Sequence, residues 1–500
     1  MSSLVPSSRE PMRLAAFAVK VSIALFTVGL VTAQIATVWA DSKTEWFERL
    51  VISVACFAGL AGVKLLAKHM HTEPVAQREW DWLTIGAMLL ILIAGLVKAP
   101  HRSNDVYAYG AYGRLVSEHS SSPYITRPSA FPNDPVIARM APGWRNTRSV
   151  YGPLFTAISA IGMRVAGTSA VRERLWFQVL ATIATALSAL MLKRLSPNNW
   201  WLFALNPVTL VVVAHEGHND AFIGLGVLSA LWFIRSGFTS RANTEGERPA
   251  PARSTRARSP WAAHGAIGSL VLAASIKITV ILAAPAVVMW LLLRFGWKRS
   301  LRIGAPWIIS SVALFAAMGG TAAFGAFRGL RTFRSTTSLW NLHVVRELTD
   351  TAANEPGVLA LSVPALALGL MGFAVLWRTW KTFGSVMPAQ DHRRTESISH
   401  VVRNPCFVSL LLSPLLIFIT LGLYVLPWYW GWLLAPAVLL PPRFRTIVFV
   451  AAAAHTVSYG AGTVLHGTSA TMFQISRFLA PLVFVVAIGY SVFFPRRSKD

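Results

Sequence analysis

The sequence has little charge and little cysteine. Of its 500 residues, 13% are charged and 54% are hydrophobic. The two cysteines, Cys56 and Cys406, both fall in or beside apolar segments. Two isolated thiols in such positions predict neither a disulfide nor a thiolate metal site.

Motifs for nucleotide chemistry are also missing. The sequence has no P-loop and no Rossmann glycine pattern. Nucleotide-activated donors are cytoplasmic, so a transferase acting outside the membrane would need a lipid-borne donor. The chain also has no internal repeat of the kind that transporters often show.

The hydrophobic residues come in blocks long enough to cross a membrane, since a bilayer core about 30 Å thick needs roughly 20 apolar residues per helix. We predict an all-α polytopic membrane protein with about 13–14 transmembrane helices, the first of them an uncleaved anchor. The predicted spans and the remaining short apolar segment lie near residues 14–38, 49–67, 82–99, 151–167 (short), 173–193, 199–215, 218–235, 261–277, 279–295, 302–325, 357–378, 405–424, 428–441, 445–463 and 473–494.

The placement of positive charge predicts the orientation. A net charge of +25 would suit nucleic acid, but the arginines and lysines gather in loops on one side of the membrane, as the positive-inside rule requires. We predict a multi-pass plasma-membrane protein with both termini in the cytoplasm and no nucleic-acid partner. A flexible, Arg-rich cytoplasmic linker at 236–260 would separate module 1–235 from module 261–500.

Three crossings then bring the chain outside near residue 100. The loop 100–150 and the motif HEGHND (215–220) are predicted to be extracytoplasmic. The short segment 151–167 is expected to lie beneath this large loop as a re-entrant or surface helix, without crossing.

Asp105 opens a stretch with helical spacing whose apolar face, including Tyr109 and Tyr112, suits the membrane interface. Two interpretations stay open at this point. Asp105 is either a solvated loop acid, or a carboxylate kept ionised near a helix N-terminus and able to act as a general base toward a hydroxyl.

Two further motifs each support several interpretations. In HEGHND, His215, His218 and Asp220 could be metal ligands, although their spacing fits no specific zinc template. Asn219 or Asp220 could cap the next helix, and the polar side chains could bind sugar hydroxyls. The motif PWYWGWLLAP (427–436) is typical of an aromatic belt, a sugar-stacking surface or a polyprenyl groove.

Several cations fall near the predicted outer face, against the positive-inside bias. They either bind anionic lipid phosphate or extend to the interface as snorkelling side chains. These residues are Arg172, Arg174, Lys277, Arg328, Arg331 and Arg334.

A series of motifs runs in order from residue 103 to residue 220: SNDVYAYGAYGRL, SSPY, NDP, GWRNTRSVYGPLF, NP and HND. As an ordered set they resemble the actinobacterial polyprenyl-phosphomannose-dependent alpha-(1→6)-mannopyranosyltransferases, which are GT-C glycosyltransferases of lipomannan synthesis. The resemblance is dense from about 100 to 225 and general beyond. The stretch EHSSSPY departs from the family pattern and puts the acceptor preference in question.

The resemblance implies a GT-C fold and an inverting transfer of mannose from polyprenyl-phosphate-mannose to a mannan or lipomannan-type acceptor, outside the membrane. Asp105 would be the base. It implies no cofactor and leaves a divalent metal open. The implied donor-phosphate ligands are Arg174, Lys277 and Arg331, and the implied sugar or acceptor ligands are Tyr107, Trp144, Tyr151, His218, Asn219, Asp220 and Trp428.

Other functions stay open. The same fold could transfer arabinofuranose from polyprenyl-phosphate arabinose. A transporter or flippase of a lipid-linked sugar is a different class, against which the polar residues at the outer face argue. A non-catalytic assembly protein would have no need of a carboxylate at Asp105.

Overall fold

The structure, a computed structural model, describes most of the chain. The described residues are 9–70, 75–100, 102–236, 260–322 and 405–464, with scattered positions between 335 and 381. Every secondary-structure element whose ends lie within these residues is helical, which confirms the all-α prediction. The helices are α1 Arg9–Val38, α2 Lys43–His69, α3 Gln77–Val97, α4 Asp105–Ser117, α5 Pro142–Arg145, α6 Pro153–Ala166, α7 Ala170–Leu195, α8 Trp201–Ala204, α9 Asp220–Ser236, α10 Pro260–Ala274, α11 Ala284–Gly319, α12 Pro405–Leu421, α13 Gly431–Ala437 and α14 Pro442–Val464. Short 3-10 turns cover Pro128–Ala130, Ile137–Arg139, Ile278–Ala283 and Pro427–Trp430, and a π-helix covers Val208–His215.

Long apolar helices make the chain a polytopic membrane protein. Among the described residues, five helices are long and apolar enough to cross a bilayer. They are Leu14–Val38, Lys43–His69, Gln77–Val97, Ala170–Leu195 and Ile278–Gly319. The predicted segment 473–494, most of 357–378, and the linker between residues 236 and 260 lie outside the described residues.

The predicted span 199–215 is not one continuous helix. It is divided into α8 and the π-helix, because Pro207 has no amide hydrogen with which to continue a helical ladder. The Asn206 side-chain oxygen instead accepts the Val208 amide at 2.9 Å. The segment is buried within the bundle, where protein covers its interrupted backbone.

The predicted span 428–441 is divided in the same way into a 3-10 turn and the seven-residue helix α13. Its residues from Pro427 to Ala437 are buried. Burial on all sides explains why its composition resembles that of a lipid-facing helix, although its backbone is broken.

Helix α11 reverses direction at Gly296, whose backbone angles (φ 70°, ψ 167°) are not helical. A straight helix of 36 residues would place its ends about 54 Å apart. Instead, Gly152 N–H donates to Ile276 O just before α11, and Ser122 Oγ donates to Met318 O near its end. Both ends therefore lie beside the same loop, which agrees with the two separate spans predicted there.

Helix α6 occupies the short segment that was predicted not to cross. Its 14 residues extend about 21 Å, which is less than the thickness of a bilayer core. The sidedness of α6 stays a prediction.

Single-cysteine labelling tests this topology. In a chain with Cys56 and Cys406 replaced by serine, a cysteine at exposed Thr168 is expected to react with a membrane-impermeant maleimide added outside. A cysteine at exposed Asn198, after α7, is expected to react only from the cytoplasm. Labelling of residue 168 from the cytoplasm alone would contradict the assignment of α6.

Candidate active site

The loop between α4 and α6 is held by a buried carboxylate. Asp134 Oδ2 accepts hydrogen bonds from Arg114 Nε and lies 2.9 Å from His119 Nε2, while Oδ1 accepts the Val136 amide at 2.8 Å. Burial raises the pKa of Asp134, but these hydrogen bonds outweigh burial and lower it below its usual value. The ionised carboxylate therefore ties α4 to the loop that follows it.

The same loop docks on the break between α10 and α11. The amides of Gly152 and Leu154 donate to Ile276 O at 2.8 Å and Ser275 O at 3.0 Å. These contacts place Gly152 beside the backbone that precedes Lys277, although the two segments are more than 120 residues apart in the sequence. The interrupted helix supplies free carbonyls, and the loop supplies the amides that they need.

The HEGHND turn positions the start of α4. Glu216 Oε2 accepts hydrogen bonds from the backbone amides of Arg102 at 3.2 Å and Ser103 at 2.9 Å. Ser103 Oγ in turn accepts the Asp105 amide at 3.2 Å. The turn thus fixes the residues immediately before Asp105.

Gly217 allows this turn to approach α4 closely. Its φ is 70°, a left-handed conformation that costs other residues energy. A Cβ atom there would also lie 2.8 Å from Val106 Cγ1 on α4. The turn and the helix can therefore meet only where residue 217 has no side chain.

Asp105 lines a small cavity. The cavity has a volume of about 200 Å³, and the Asp105 side chain is 27% exposed. The residues lining it are Arg102, Ser103, Asn104, Asp105, Ala108, Tyr112, Ala141, Trp144, Val150, Tyr151, Tyr424, Leu426, Trp428 and Tyr459. A carboxylate, one arginine and a wall of aromatic rings thus face one space.

The aromatic wall combines distant parts of the chain. Trp144 packs edge-on against Tyr424 at 6.0 Å between centroids, and Tyr112 Oη lies 3.0 Å from Thr147 Oγ1. Burial raises the pKa of Tyr112, and the nearby charge of Asp105 adds to this rise. Tyr112 therefore stays a neutral hydroxyl at physiological pH.

Lys277 and Asp220 form a buried pair. Lys277 Nζ lies 3.0 Å from Asp220 Oδ1 and 3.7 Å from the centroid of the Tyr429 ring. Trp432 Nε1 donates to the same carboxylate oxygen. The pair joins the helix break at Lys277 to the start of α9, and neither residue is in the cavity lining.

Arg174 lies away from the cavity. Its guanidinium donates to Leu96 O at 3.0 Å and Val97 O at 3.2 Å, and to Gln178 Oε1 at 2.7 Å. These contacts satisfy carbonyls at the C-terminal end of α3. The predicted phosphate-binding role of Arg174 is untested, and Arg331 lies outside the described residues.

The remaining predicted ligands fall into two groups. Trp144, Tyr151 and Trp428 line the cavity with Asp105. Tyr107, His218, Asn219 and Asp220 do not line it. Their assignment as sugar ligands stays a prediction.

HEGHND directs its side chains to different partners. His215 Nδ1 lies 2.9 Å from Gly95 O, and His218 Nδ1 lies 3.4 Å from Asp105 Oδ2. Asp220 pairs with Lys277. Over the described ranges, no group of three or more His, Cys, Asp or Glu side chains could hold a metal ion.

Sequence reasoning missed four contributors to the site. Arg102 stands within the motif region but was not singled out as a ligand. Glu216 lies within HEGHND but is not among the candidate ligands that the motif suggested. Tyr424 and Tyr459 come from the C-terminal third, where no motif marks them.

The helical bundle with its long apolar helices is that of a polytopic membrane protein of the GT-C type. A family model described as alpha-(1→6)-mannopyranosyltransferase, N-terminal domain, matches residues 14–293. This match covers more than half of the chain, and the chain belongs to that family.

Two curated relatives share the sequence at lower identity. The chain is 22% identical to alpha-(1→6)-mannopyranosyltransferase A of Corynebacterium glutamicum over 322 residues, which is 61% of this chain and 59% of the relative. It is 27% identical to the Mycobacterium tuberculosis (strain H37Rv) protein of the same name over 186 residues, which is 36% of this chain and 35% of the relative. The matches thus span about 59% and 35% of these relatives' own lengths. No solved structure matches the chain.

The Gly217 contact gives a prediction about stability. Gly217→Ala is expected to lower the melting temperature in detergent, because the left-handed backbone costs about 1–2 kcal/mol and the new methyl group meets Val106. The matched control repeats Gly217→Ala in a Val106→Ala background, where the new methyl group no longer meets Val106 Cγ1. An equal loss from Gly217→Ala in the two backgrounds would contradict a tight contact between the turn and α4.

Proposed function

We propose that the protein is an inverting mannosyltransferase that uses polyprenyl-phosphate-mannose and forms an alpha-(1→6) linkage on a mannan or lipomannan-type acceptor. The observation that carries this proposal is the Asp105 carboxylate facing an aromatic-walled cavity. The family match and the names of the two relatives supply the sugar and the linkage. The site would face the outside of the plasma membrane, with both termini in the cytoplasm.

The chemistry follows from the carboxylate. Asp105 takes the proton of the acceptor hydroxyl while the oxygen of that hydroxyl attacks the anomeric carbon of the donor mannose. The bond between that carbon and the phosphate oxygen breaks, and its electron pair leaves with the polyprenyl phosphate. Attack opposite a beta-linked phosphate gives the alpha product. The proton on Asp105 then returns to water through the cavity.

The cavity fits one sugar ring better than a long glycan. Its volume of about 200 Å³ lies below the roughly 300 Å³ at which sites for drug-sized ligands begin. Aromatic rings such as Trp144 and Trp428 offer flat faces to the apolar side of a pyranose. The lining joins residues from module 1–235 and from module 261–500, so both modules would contribute to the site.

Arg102 is a candidate for steadying the departing phosphate. In the described part of the chain, it is the one Lys or Arg that lines the cavity. Its guanidinium donates to Ser42 O and lies 5.5 Å from the Trp46 ring centroid, and its Nε is buried without a hydrogen-bond partner. A buried donor of this kind can bind an anionic oxygen. Lys277, Arg174 and Arg331 stay the other candidates.

Transfer of radiolabelled mannose from polyprenyl-phosphomannose to a short alpha-(1→6)-mannoside tests the proposed activity. The purified wild type is expected to transfer, and Asp105→Asn to lose roughly a hundredfold or more in kcat, since amide cannot accept the proton. Asp41 is an exposed carboxylate paired with Lys98, so Asp41→Asn is the control and should keep full activity. Transfer from polyprenyl-phosphate arabinose instead would replace the proposed donor.

A second assay tests Arg102. Arg102→Gln is expected to lower kcat/KM for the lipid donor by roughly tenfold to a hundredfold, the usual cost of losing a charged hydrogen bond. Exposed Arg164→Gln on α6 is the control for loss of one positive charge. An unchanged kcat/KM in Arg102→Gln would remove Arg102 from the phosphate site.

A further inference from the structure

His218 lies directly behind Asp105. Its Nδ1 atom is 3.4 Å from Asp105 Oδ2, and its side chain is 0% exposed, against 27% for Asp105. The carboxylate therefore stands between the imidazole and the cavity. One carboxylate oxygen is turned toward the ring, and the group as a whole remains open to the cavity.

The imidazole has little freedom to move. Its ring stacks on Trp428 with 4.2 Å between centroids and 11° between planes. The backbone beneath it is held by the Gly217 turn. The ring is not part of the lining of the cavity at Asp105, and it borders a neighbouring space of about 10 Å³, roughly the least that admits one water molecule. A sugar cannot reach His218 without displacing Asp105 or Trp428.

The ring also lacks other hydrogen bonds. Within the described residues, neither His218 nitrogen has a hydrogen-bond partner, and Asp105 is the charged group that it contacts. A buried polar atom without a partner is costly, so a proton on Nδ1 directed to Oδ2 is the arrangement that satisfies both groups. The distance of 3.4 Å is slightly long, as catalytic hydrogen bonds often are before substrate binds.

We propose that His218 is a positioning residue for Asp105 and not a sugar ligand, an inference that rests on the proposed transferase function. The Nδ1–H group holds Oδ2, so that Oδ1 is directed to the acceptor hydroxyl. With Oδ2 held in this way, Oδ1 is the oxygen that accepts the proton of the hydroxyl. The stack on Trp428 fixes the plane in which the imidazole donates.

Three substitutions separate this role from sugar binding. Asn at position 218 keeps a donor at the place of Nδ1, Gln moves the donor to the place of Nε2, and Phe keeps the stack without a donor. We expect His218→Phe and His218→Gln to lose roughly a hundredfold in kcat, the cost of a misplaced catalytic group. His218→Asn should recover most of that loss. KM for donor and acceptor should change by less than about threefold in all three.

The control is exposed His69→Phe at the end of α2, which should have wild-type kinetics. Equal losses in Asn, Gln and Phe variants, or losses confined to KM, would overturn the positioning role. The first pattern would indicate a packing requirement, and the second a sugar contact.

A measurement without substrate separates this proposal from the proposed function. Carbodiimides add to an accessible carboxyl oxygen, so labelling of Asp105, followed by mass spectrometry, should be faster in His218→Phe, where Oδ2 has lost its donor, than in wild type and in His218→Asn. If the wild type transfers no mannose but this labelling order holds, the transferase proposal fails and the His218–Asp105 contact stands. Equal labelling rates in all three proteins would overturn the contact itself.

Discussion

The site depends on one contact, between the turn at residues 215–220 and the start of α4. Glu216 holds the amides that precede Asp105, Gly217 lets Val106 approach, and His218 lies against the carboxylate. All three residues contact the first turn of α4 or the residues just before it. Because all three belong to a single turn, that turn fixes the backbone from which the Asp105 side chain extends.

Three ion pairs place cationic side chains against buried carboxylates. Lys277 with Asp220, Arg139 with Glu173, and Arg114 with Asp134 each place a cation against a carboxylate at 3.0 Å or less. A buried ion without such a partner would be strongly destabilising. The cavity is different, because there Asp105 and Arg102 face space that a substrate can fill.

The sequence alone predicted the helical membrane fold, because blocks of about twenty apolar residues leave few other structures possible. It also predicted that Asp105, Trp144, Tyr151 and Trp428 matter, and the structure brings these four to one cavity. It could not predict that Tyr424 and Tyr459 join them, since contacts across hundreds of residues leave no local pattern. Nor could it reveal that the segment at 199–215 is broken, because burial within a bundle and exposure to lipid select the same apolar residues.

The docking of the loop between α4 and α6 on both ends of α11 has a consequence for biosynthesis. Ser122 and Gly152 bond to Met318 and Ile276, and the cavity wall also needs Tyr459. Translation therefore delivers Asp105 to the membrane more than 350 residues before the last of its wall. The loop lacks its final contacts while later helices insert, and the cavity is complete only after Tyr459 has been made.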